Sequence, residues 1–120
     1  MKNIHFHTVF DTVTVGPGGM AWSTNIPLWA NFTAHSFSGQ ITGDGTLMIE
    51  LYVSVDDIEV KDSTVCSGYT KVSGPDGDGK FMKSLSFRAG ATVRFKATET
   101  SGTSSVIING DFCQTGGVRS

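Results

Sequence analysis

Apolar and polar residues alternate strictly in one central segment of the chain. This period of two is typical of a β-strand that buries one face. A Gly43-Asp44-Gly45 turn precedes the segment and Asp56-Asp57 follows it, so both ends carry residues that favour turns. The apolar face comprises Leu47, Ile49, Leu51, Val53 and Val55.

Similar alternation recurs along the rest of the chain, for example at Val93, Phe95 and Ala97, and no segment keeps a helical period. We therefore expect an all-β protein, a single β-sandwich that is jelly-roll or immunoglobulin-like, with about eight strands. Residues 36–42 and 46–55 are predicted to form a hairpin, and residues 58–61 and 65–72 two shorter strands. The loop 74–79 is predicted to be a hairpin turn with glycines at positive φ. We expect the core to contain Leu47, Ile49, Leu51, Val53, Val93, Phe95 and Phe112.

The length of 120 residues predicts one domain over residues 1–120, with residues 1–35 as a candidate docking arm. The net charge is −2 and the basic residues are scattered, so we expect no nucleic-acid partner. No apolar stretch is long enough to cross a bilayer, so we expect no membrane partner. Charged residues make up only 17% of the chain, which favours close packing against neighbouring subunits.

The first residues, Met1 to His7, lack the apolar run of a secretory signal. We therefore expect synthesis in a host cytoplasm without a signal peptide. Cys66 and Cys113 form no metal-binding spacing, and we expect free thiols, with a disulfide as the alternative.

Two groups of residues suggest metal ligands. His5 and His7 share one face of a strand, with His35 or Asp11 as a third ligand, but two exposed histidines are the preferred interpretation. Asp76 and Asp78 resemble the start of a calcium loop whose twelfth position, where a Glu is needed, is Phe87. We expect no metal and no cofactor.

Catalytic motifs are not found in the sequence. It has no Gly-x-Ser-x-Gly elbow, and no histidine lies near Cys66. The spacing of the carboxylates alone does not exclude a glycosidase with paired catalytic acids, but a small sandwich leaves little room for a catalytic cleft. We expect that the protein is not an enzyme.

The aromatic residues Trp22, Trp29, Phe32 and Phe37 allow two interpretations. Aromatics on an exposed sheet face can stack on sugars, as in a carbohydrate-binding module. Aromatics also dominate protein interfaces. Residues 16–35 contain no Lys, Arg, Asp or Glu, so we predict an apolar, salt-insensitive interface that includes Trp22, Trp29 and Phe32.

Somewhat over half of the chain, from Gly43 to Phe112, resembles small virion proteins of tailed bacteriophages. The resemblance is carried by a strand with a Ser-x-Asp turn, a Ser-Gly-Pro-x-Gly-x-Gly loop, an Arg-containing strand with a Glu-Thr-x-Gly turn, and a final strand. Asp57 stands where the pattern usually has glycine. In this chain the segments are Leu51-Tyr52-Val53-Ser54-Val55-Asp56, Val72-Ser73-Gly74-Pro75-Asp76-Gly77-Asp78-Gly79-Lys80, Val93-Arg94-Phe95-Lys96-Ala97-Thr98-Glu99-Thr100 and Ser105-Val106-Ile107-Ile108-Asn109-Gly110.

The resemblance implies a structural protein of the virion, foremost a capsid decoration or cement protein. Such a protein stabilises the particle through many protein–protein contacts. Its expected partners are other copies of itself, in a homo-oligomer, and capsid or tail subunits. The alternatives are a component of the viral tail, neck or adsorption apparatus, or a carbohydrate- or receptor-binding module. The resemblance names no functional residue.

Overall fold

The computed structural model describes residues 2–28 and 32–117, and within these ranges the regular structure consists of nine β-strands. The described residues include no helix that is long and apolar enough to cross a bilayer. The strands are β1 (Lys2–Val15), β2 (Met20–Trp22), β3 (Ile26–Pro27), β4 (Ala34–Gly43), β5 (Leu47–Val55), β6 (Ile58–Tyr69), β7 (Lys80–Leu85), β8 (Thr92–Glu99) and β9 (Val106–Gly117).

The strands form two antiparallel sheets that pack face to face. The four-stranded sheet has the order β1-β9-β4-β7, and the five-stranded sheet has the order β2-β8-β5-β6, with β3 also paired to β8. Because β2 and β3 both pair with β8, they act as one interrupted strand. The chain then has eight strands that cross between two four-stranded layers, which is the jelly-roll arrangement. The predicted all-β sandwich is confirmed, and the jelly-roll is the form it takes.

Ser23 lies at the interruption between β2 and β3 and keeps the chain bonded to β8 there. Ser23 donates its backbone N–H to the carbonyl of Phe95, and its hydroxyl accepts the N–H of Phe95, both at 2.9 Å. The Ser23 hydroxyl thus accepts the hydrogen bond from Phe95 that a backbone carbonyl of a neighbouring strand would otherwise accept. Pro27 has no N–H to donate, which suits the edge position of β3.

Two of the predicted hairpins are wrong. β4 pairs with β7 and β9, whereas β5 pairs with β6 and β8, so the 43–46 turn connects the two sheets. The 74–79 loop likewise connects β6 of one sheet to β7 of the other. Its glycines do have positive φ: 98° at Gly74, 69° at Gly77 and 80° at Gly79. The two short strands predicted after Asp57 are the single strand β6, with shifts of register against β5.

The predicted core residues are all buried between the sheets. Phe37 lies at its centre, with ring centroids 5.2 Å from Phe95, which in turn lies 5.5 Å from Phe112. Gly110 provides the space for Phe37, because a Cβ atom there would overlap the Phe37 ring. Val55, at the turn between β5 and β6, is exposed. The confirmed core set is Leu47, Ile49, Leu51, Val53, Val93, Phe95 and Phe112.

The first 35 residues belong to the sandwich wherever they are described. β1 forms an edge of the four-stranded sheet, and β2 and β3 form an edge of the five-stranded sheet. Docking by this segment stays a prediction.

A buried carboxylate, Glu99, connects three loops at one end of the sandwich. Its Oε1 accepts the N–H groups of Gly18 and Gly102 at 3.0 and 2.7 Å. Its Oε2 accepts the N–H groups of Thr46 and Ser101 at 2.7 and 3.0 Å, and the Ser101 hydroxyl at 2.6 Å. One side chain therefore satisfies four backbone donors that come from the 16–19, 43–46 and 100–104 turns.

The hydrogen bonds determine the charge state of Glu99. Burial alone would raise the pKa of this carboxyl, but the bonds from Ser101, Thr46 and Gly18 favour the charged form. The hydrogen bonds outweigh burial and hold the pKa well below its ordinary value of 4.5. Glu99 is therefore a carboxylate at neutral pH.

Truncation of a core side chain should destabilise the sandwich. Ile49→Ala is expected to lower the free energy of unfolding by about 2–5 kcal/mol, because a well-packed aliphatic side chain leaves a cavity. The matched control is Ile58→Ala, at a position that is 70% exposed, where a change within about 0.5 kcal/mol is expected. Chemical denaturation of both variants measures the difference, and equal stability would contradict the assigned core.

Loss of the Glu99 charge should destabilise the protein and change its acid response. The folded pKa lies below the unfolded value of 4.5, so this carboxylate stabilises the fold above that pH and loses its effect as the pH falls. Glu99→Gln should lower the melting temperature by several degrees at neutral pH and flatten the stability profile below about pH 4.5. Thermal melts across the acid range test this, with Asp57→Asn as control. A variant profile that parallels the wild type would refute the role of Glu99.

Candidate functional site

A groove of about 710 Å³ lies on the outer face of the four-stranded sheet. Two rows of outward side chains cross the sheet and form its floor, because directly paired residues on neighbouring strands share a face. One row contains Thr8 on β1, Asp111 on β9, Ser38 on β4 and Met82 on β7. The second row contains Asn109 on β9, Gln40 on β4 and Lys80 on β7.

A β-bulge and a loop form the walls of the groove. The register of β1 against β9 shifts between Thr8 and Val13, and Thr12 there has a φ of 51°, which is uncommon for a residue with a side chain. Asn109 holds this bulge, since its Oδ1 accepts the Thr12 N–H at 2.8 Å and the Thr12 hydroxyl at 3.0 Å. The bulge places Asp11 on the groove. Pro75 and Asp76 of the 74–79 loop line the groove as well.

Gly79 fixes the loop against β4. Its carbonyl accepts the N–H of Ile41 at 3.0 Å, and its N–H donates to the carbonyl of Ser73 at 2.8 Å. A Cβ atom at Gly79 would collide with the carbonyl of Ile41, and its φ of 80° is unfavourable for other residues. The wall is therefore joined to β4 by a backbone hydrogen bond.

The outer face of the five-stranded sheet carries a packed aromatic and ionic cluster. Trp22 and Tyr52 meet edge to face, with centroids 4.9 Å apart and planes at 61°. The guanidinium of Arg94 lies 3.8 Å from the Trp22 ring centroid and donates two hydrogen bonds, both of 2.7 Å, to the carboxylate of Glu59. Since these rings are not coplanar and a cation covers the Trp22 face, they do not form a flat platform for stacking sugars.

Glu50 completes this cluster. Its carboxylate is buried, with Lys61 at 2.7 Å and Lys96 at 3.8 Å. The hydrogen bond with Glu50 and its charge raise the pKa of Lys61. The ionic groups of this face therefore pair with each other rather than with a ligand.

The three residues predicted for an interface lie apart from the groove. Trp22 is 39% exposed and packs on Arg94, whereas Phe32 is half-buried at the end of the sandwich near His5. Trp29 lies outside the described residues. A contact role for these residues stays a prediction.

The predicted exposure of His5 and His7 is wrong, because both face the interior. His5 pairs with Gln114 of β9, which in turn pairs with His35 of β4, so the three side chains form a polar row between the sheets. His7 stands beside His5, with ring centroids 4.4 Å apart. The exposed residues of this strand segment are Ile4 and Phe6 instead.

Burial makes the neutral state of two histidines more favourable. Desolvation, and secondly the nearby His5, lower the pKa of His7, whose Nε2 is buried and has no hydrogen-bond partner in the described structure. Desolvation also lowers the pKa of His35 and outweighs its hydrogen bond with Gln114, which acts in the opposite direction. Gln114 also donates a 3.0 Å bond to the carbonyl of Pro27.

Among the described residues, no group of three or more His, Cys, Asp or Glu side chains is arranged to hold a metal ion. Cys66 and Cys113 are free. Cys66 pairs with Ile49 and is buried in the five-stranded sheet, where burial raises its thiol pKa to about 11. A thiol with this pKa is a weak nucleophile at neutral pH.

Sequence reasoning missed the groove. Its residues come from four strands and a loop that are distant in the sequence, so no local motif marks them. The hydroxyl, amide and carboxylate side chains of Ser38, Gln40, Asn109 and Asp111 have no unusual spacing. A usable signal was the break in alternation after Thr8, which marks the bulge that positions Asp11.

Comparison with known proteins gives similarity at the level of fold. No protein-family model and no curated protein sequence matches the chain. The VP2 subviral particle of infectious bursal disease virus aligns with 96% of this chain at 13% identity and a TM-score of 0.62. T=1 particles derived from the same virus align with a TM-score of 0.58 and 13% identity over 96% of this chain. The chain spans about a third of the length of these viral chains, 33% and 32% respectively.

A carbohydrate-binding domain shares the fold over its whole length. The CBM36-1 domain of a multidomain xylanase from the hindgut metagenome of Trinervitermes trinervoides aligns with 98% of this chain and 100% of its own, at 11% identity and a TM-score of 0.51. At such identities the likeness establishes the β-sandwich fold alone. The fold occurs in viral particle proteins and in binding modules.

The half-buried histidines His7 and His35 should make the protein less stable in mild acid. Their folded pKa values lie below the ordinary value of 6.5, so the unfolded chain takes up protons first. The contribution of these histidines to stability should be complete above that pH and should be lost progressively as the pH falls below about 6.5. Urea denaturation at several pH values measures the slope. The double variant His7→Gln/His35→Gln should reduce the slope, and an undiminished slope would contradict the assignment.

Proposed function

We propose that this protein is a structural component of a virus particle, foremost a decoration or cement protein of a bacteriophage capsid, that acts through protein–protein contacts. The observation that carries the proposal is the open edge of β1 in a jelly-roll sandwich. The fold shared with the viral VP2 chains supports it, as do the virion-protein motifs between Gly43 and Phe112. The proposal assigns the protein no catalysis and no cofactor, and places it in the virion after synthesis in the host cytoplasm.

β1 has a sheet neighbour on one side only. It pairs with β9 from Lys2 to Val15, and no strand of the described structure pairs with its other edge. An unpaired strand of this length presents a row of backbone donors and acceptors that another strand can bind. Proteins usually protect such edges with charged residues or proline, but residues 4–10 of this chain contain neither.

The outward side chains of this edge are apolar. Ile4 is 58% exposed and Phe6 is 65% exposed, both more than Trp22. A second copy that pairs antiparallel along β1 would cover both residues and extend the sheet to eight strands. Since residues 4–10 contain no Asp, Glu, Lys or Arg, this pairing brings no like charges together. A homo-oligomer built through β1 is therefore the form we propose for assembly.

The tail, neck or adsorption apparatus is the alternative location in the particle at which the protein would make the same contacts. The β1 edge is compatible with either place, because a cement protein and a tail protein both use interfaces between copies. Immunogold electron microscopy of particles assembled from the genome that encodes this chain distinguishes the sites. Label on the shell supports decoration, label on the tail supports the alternative, and purified particles without label refute a virion role.

Substitution on the β1 edge should weaken self-association. Phe6→Lys introduces a charge that a β1–β1 interface would have to desolvate, so we expect roughly tenfold weaker association or more. The control is Val72→Lys, at a loop residue that is 64% exposed. Trp22→Ala in the same assay tests the earlier interface prediction. Light scattering and sedimentation measure the oligomer, and a wild type that is monomeric at all concentrations would contradict the proposed assembly.

A further inference from the structure

We infer that the groove on the outer face of the four-stranded sheet binds a neutral carbohydrate chain. The groove is defined by its floor, Thr8, Ser38, Gln40, Met82, Asn109 and Asp111, and by its walls at Asp11 and the 74–79 loop. Its volume of about 710 Å³ lies in the range usual for ligand sites. This inference is independent of a virion role, since a particle protein and a free binding module could both carry such a site.

The groove offers polar groups with no protein partner. Within the described structure, the side chains of Asp11, Ser38, Gln40 and Asp111 take part in no hydrogen bond or ion pair. Asn109 uses its Oδ1 for Thr12, which leaves its amide N–H groups as donors. Carboxylates, amides and a hydroxyl in adjacent rows can bind the neighbouring hydroxyl groups of a sugar as acceptors and donors.

The position of these groups is fixed by backbone pairing. Thr8, Asp111, Ser38 and Met82 occupy one register row, and four strands at ordinary spacing span roughly 14 Å. The row of Asn109, Gln40 and Lys80 runs parallel to it, on the same face. A chain of sugar rings that crosses the strands would contact both rows without a change in the sheet, so little ordering is needed for binding.

Apolar surface lies beside the polar rows. Met82 is 73% exposed at one end of its row, and Pro75 lines the adjacent wall. Sugar rings combine hydroxyl edges with C–H faces, so a lining of this mixed kind suits them. A flat aromatic platform is not required, and Trp22 and Tyr52 on the opposite sheet, with ring planes at 61°, do not supply one.

The charges of the groove select against anionic ligands. Asp11, Asp76 and Asp111 line it together with a single cation, Lys80. Lys80 itself lies 3.9 Å from Asp78, which further reduces its attraction for an anion. Nucleic acid, sulfated glycans and uronic-acid chains would therefore be repelled, whereas a neutral oligosaccharide meets no such repulsion.

The test uses an immobilised panel of neutral oligosaccharides, made of glucose, xylose, mannose, galactose or N-acetylglucosamine units, with oligogalacturonate as the anionic member. We expect the full chain to bind at least one neutral member and not oligogalacturonate. Titration of the best soluble member, followed by backbone amide chemical shifts, should perturb β1, β4 and β9 around the groove. No binding to any neutral member, stronger binding to oligogalacturonate, or shifts centred on Trp22 would overturn the inference.

Two variants and a matched control locate the site. Asp111→Ala and Gln40→Ala should each weaken binding roughly tenfold, because each removes a hydrogen-bonding partner. Asp57→Ala removes an exposed aspartate in the turn between β5 and β6 and should leave affinity unchanged. Ser38→Trp should block the groove by bulk, and melting curves show whether each variant is folded. Unchanged affinity in the folded groove variants would overturn the assignment.

The two proposals can fail separately. The groove lies on the sheet face, whereas the proposed assembly uses the free edge of β1. Phe6→Lys should therefore reduce self-association and leave binding of the best neutral oligosaccharide intact, whereas Asp111→Ala should do the opposite. Loss of both properties in both variants would contradict the separation of the two surfaces.

Discussion

The carboxylate of Glu99 is the constraint on which the connections of this sandwich depend. A jelly roll sends its chain from one sheet to the other several times, and each crossing leaves backbone N–H groups that no strand satisfies. At one end of the molecule, Glu99 accepts from Gly18, Thr46, Ser101 and Gly102, which belong to three different turns. Because the acceptor is charged, these bonds are of the stronger kind. The 43–46 crossing is thereby fixed to β8.

The outer faces of the two sheets have different characters as a result of their pairing. On the five-stranded sheet, charged side chains meet partners across strands, as Arg94 meets Glu59 and Glu50 meets Lys61. On the four-stranded sheet, the bulge in β1 and the glycine-fixed loop raise walls around polar side chains that have no such partners. The charges on the outer face of the five-stranded sheet thus neutralise each other, whereas the outer face of the four-stranded sheet keeps hydrogen-bonding groups available. The β1 edge adds an apolar surface beside the outer face of the four-stranded sheet.

Burial of individual residues could be predicted from the sequence more accurately than the pairing of strands. Alternation in β5 and β8 depends on local burial, so Leu47, Ile49 and Phe95 were placed correctly. Neighbours in a jelly roll are distant in the sequence, and the assumption of hairpins therefore failed at residues 43–46. In β1 the alternation of side chains between two faces was predicted correctly, but the buried face was not. His5 and His7 point inward because Gln114 and His35 supply polar neighbours. The groove could not be predicted, since its rows exist only after β1, β9, β4 and β7 are in register.

The central position of β9 has a consequence for how the chain acquires its structure. β9 joins β1 to β4, with Lys2 opposite Gly117 and Gly43 opposite Val106, and it follows the other eight strands of the sandwich in the sequence. Until β9 is synthesised, β1 lacks its neighbour in the sheet, and its uncharged residues are available to other nascent chains. The late, long-range closure predicts slow folding, in which β1, the first of the nine strands in sequence order, is among the last to be ordered. The position of β1 at the edge of its sheet thus also exposes the folding chain to aggregation during biosynthesis.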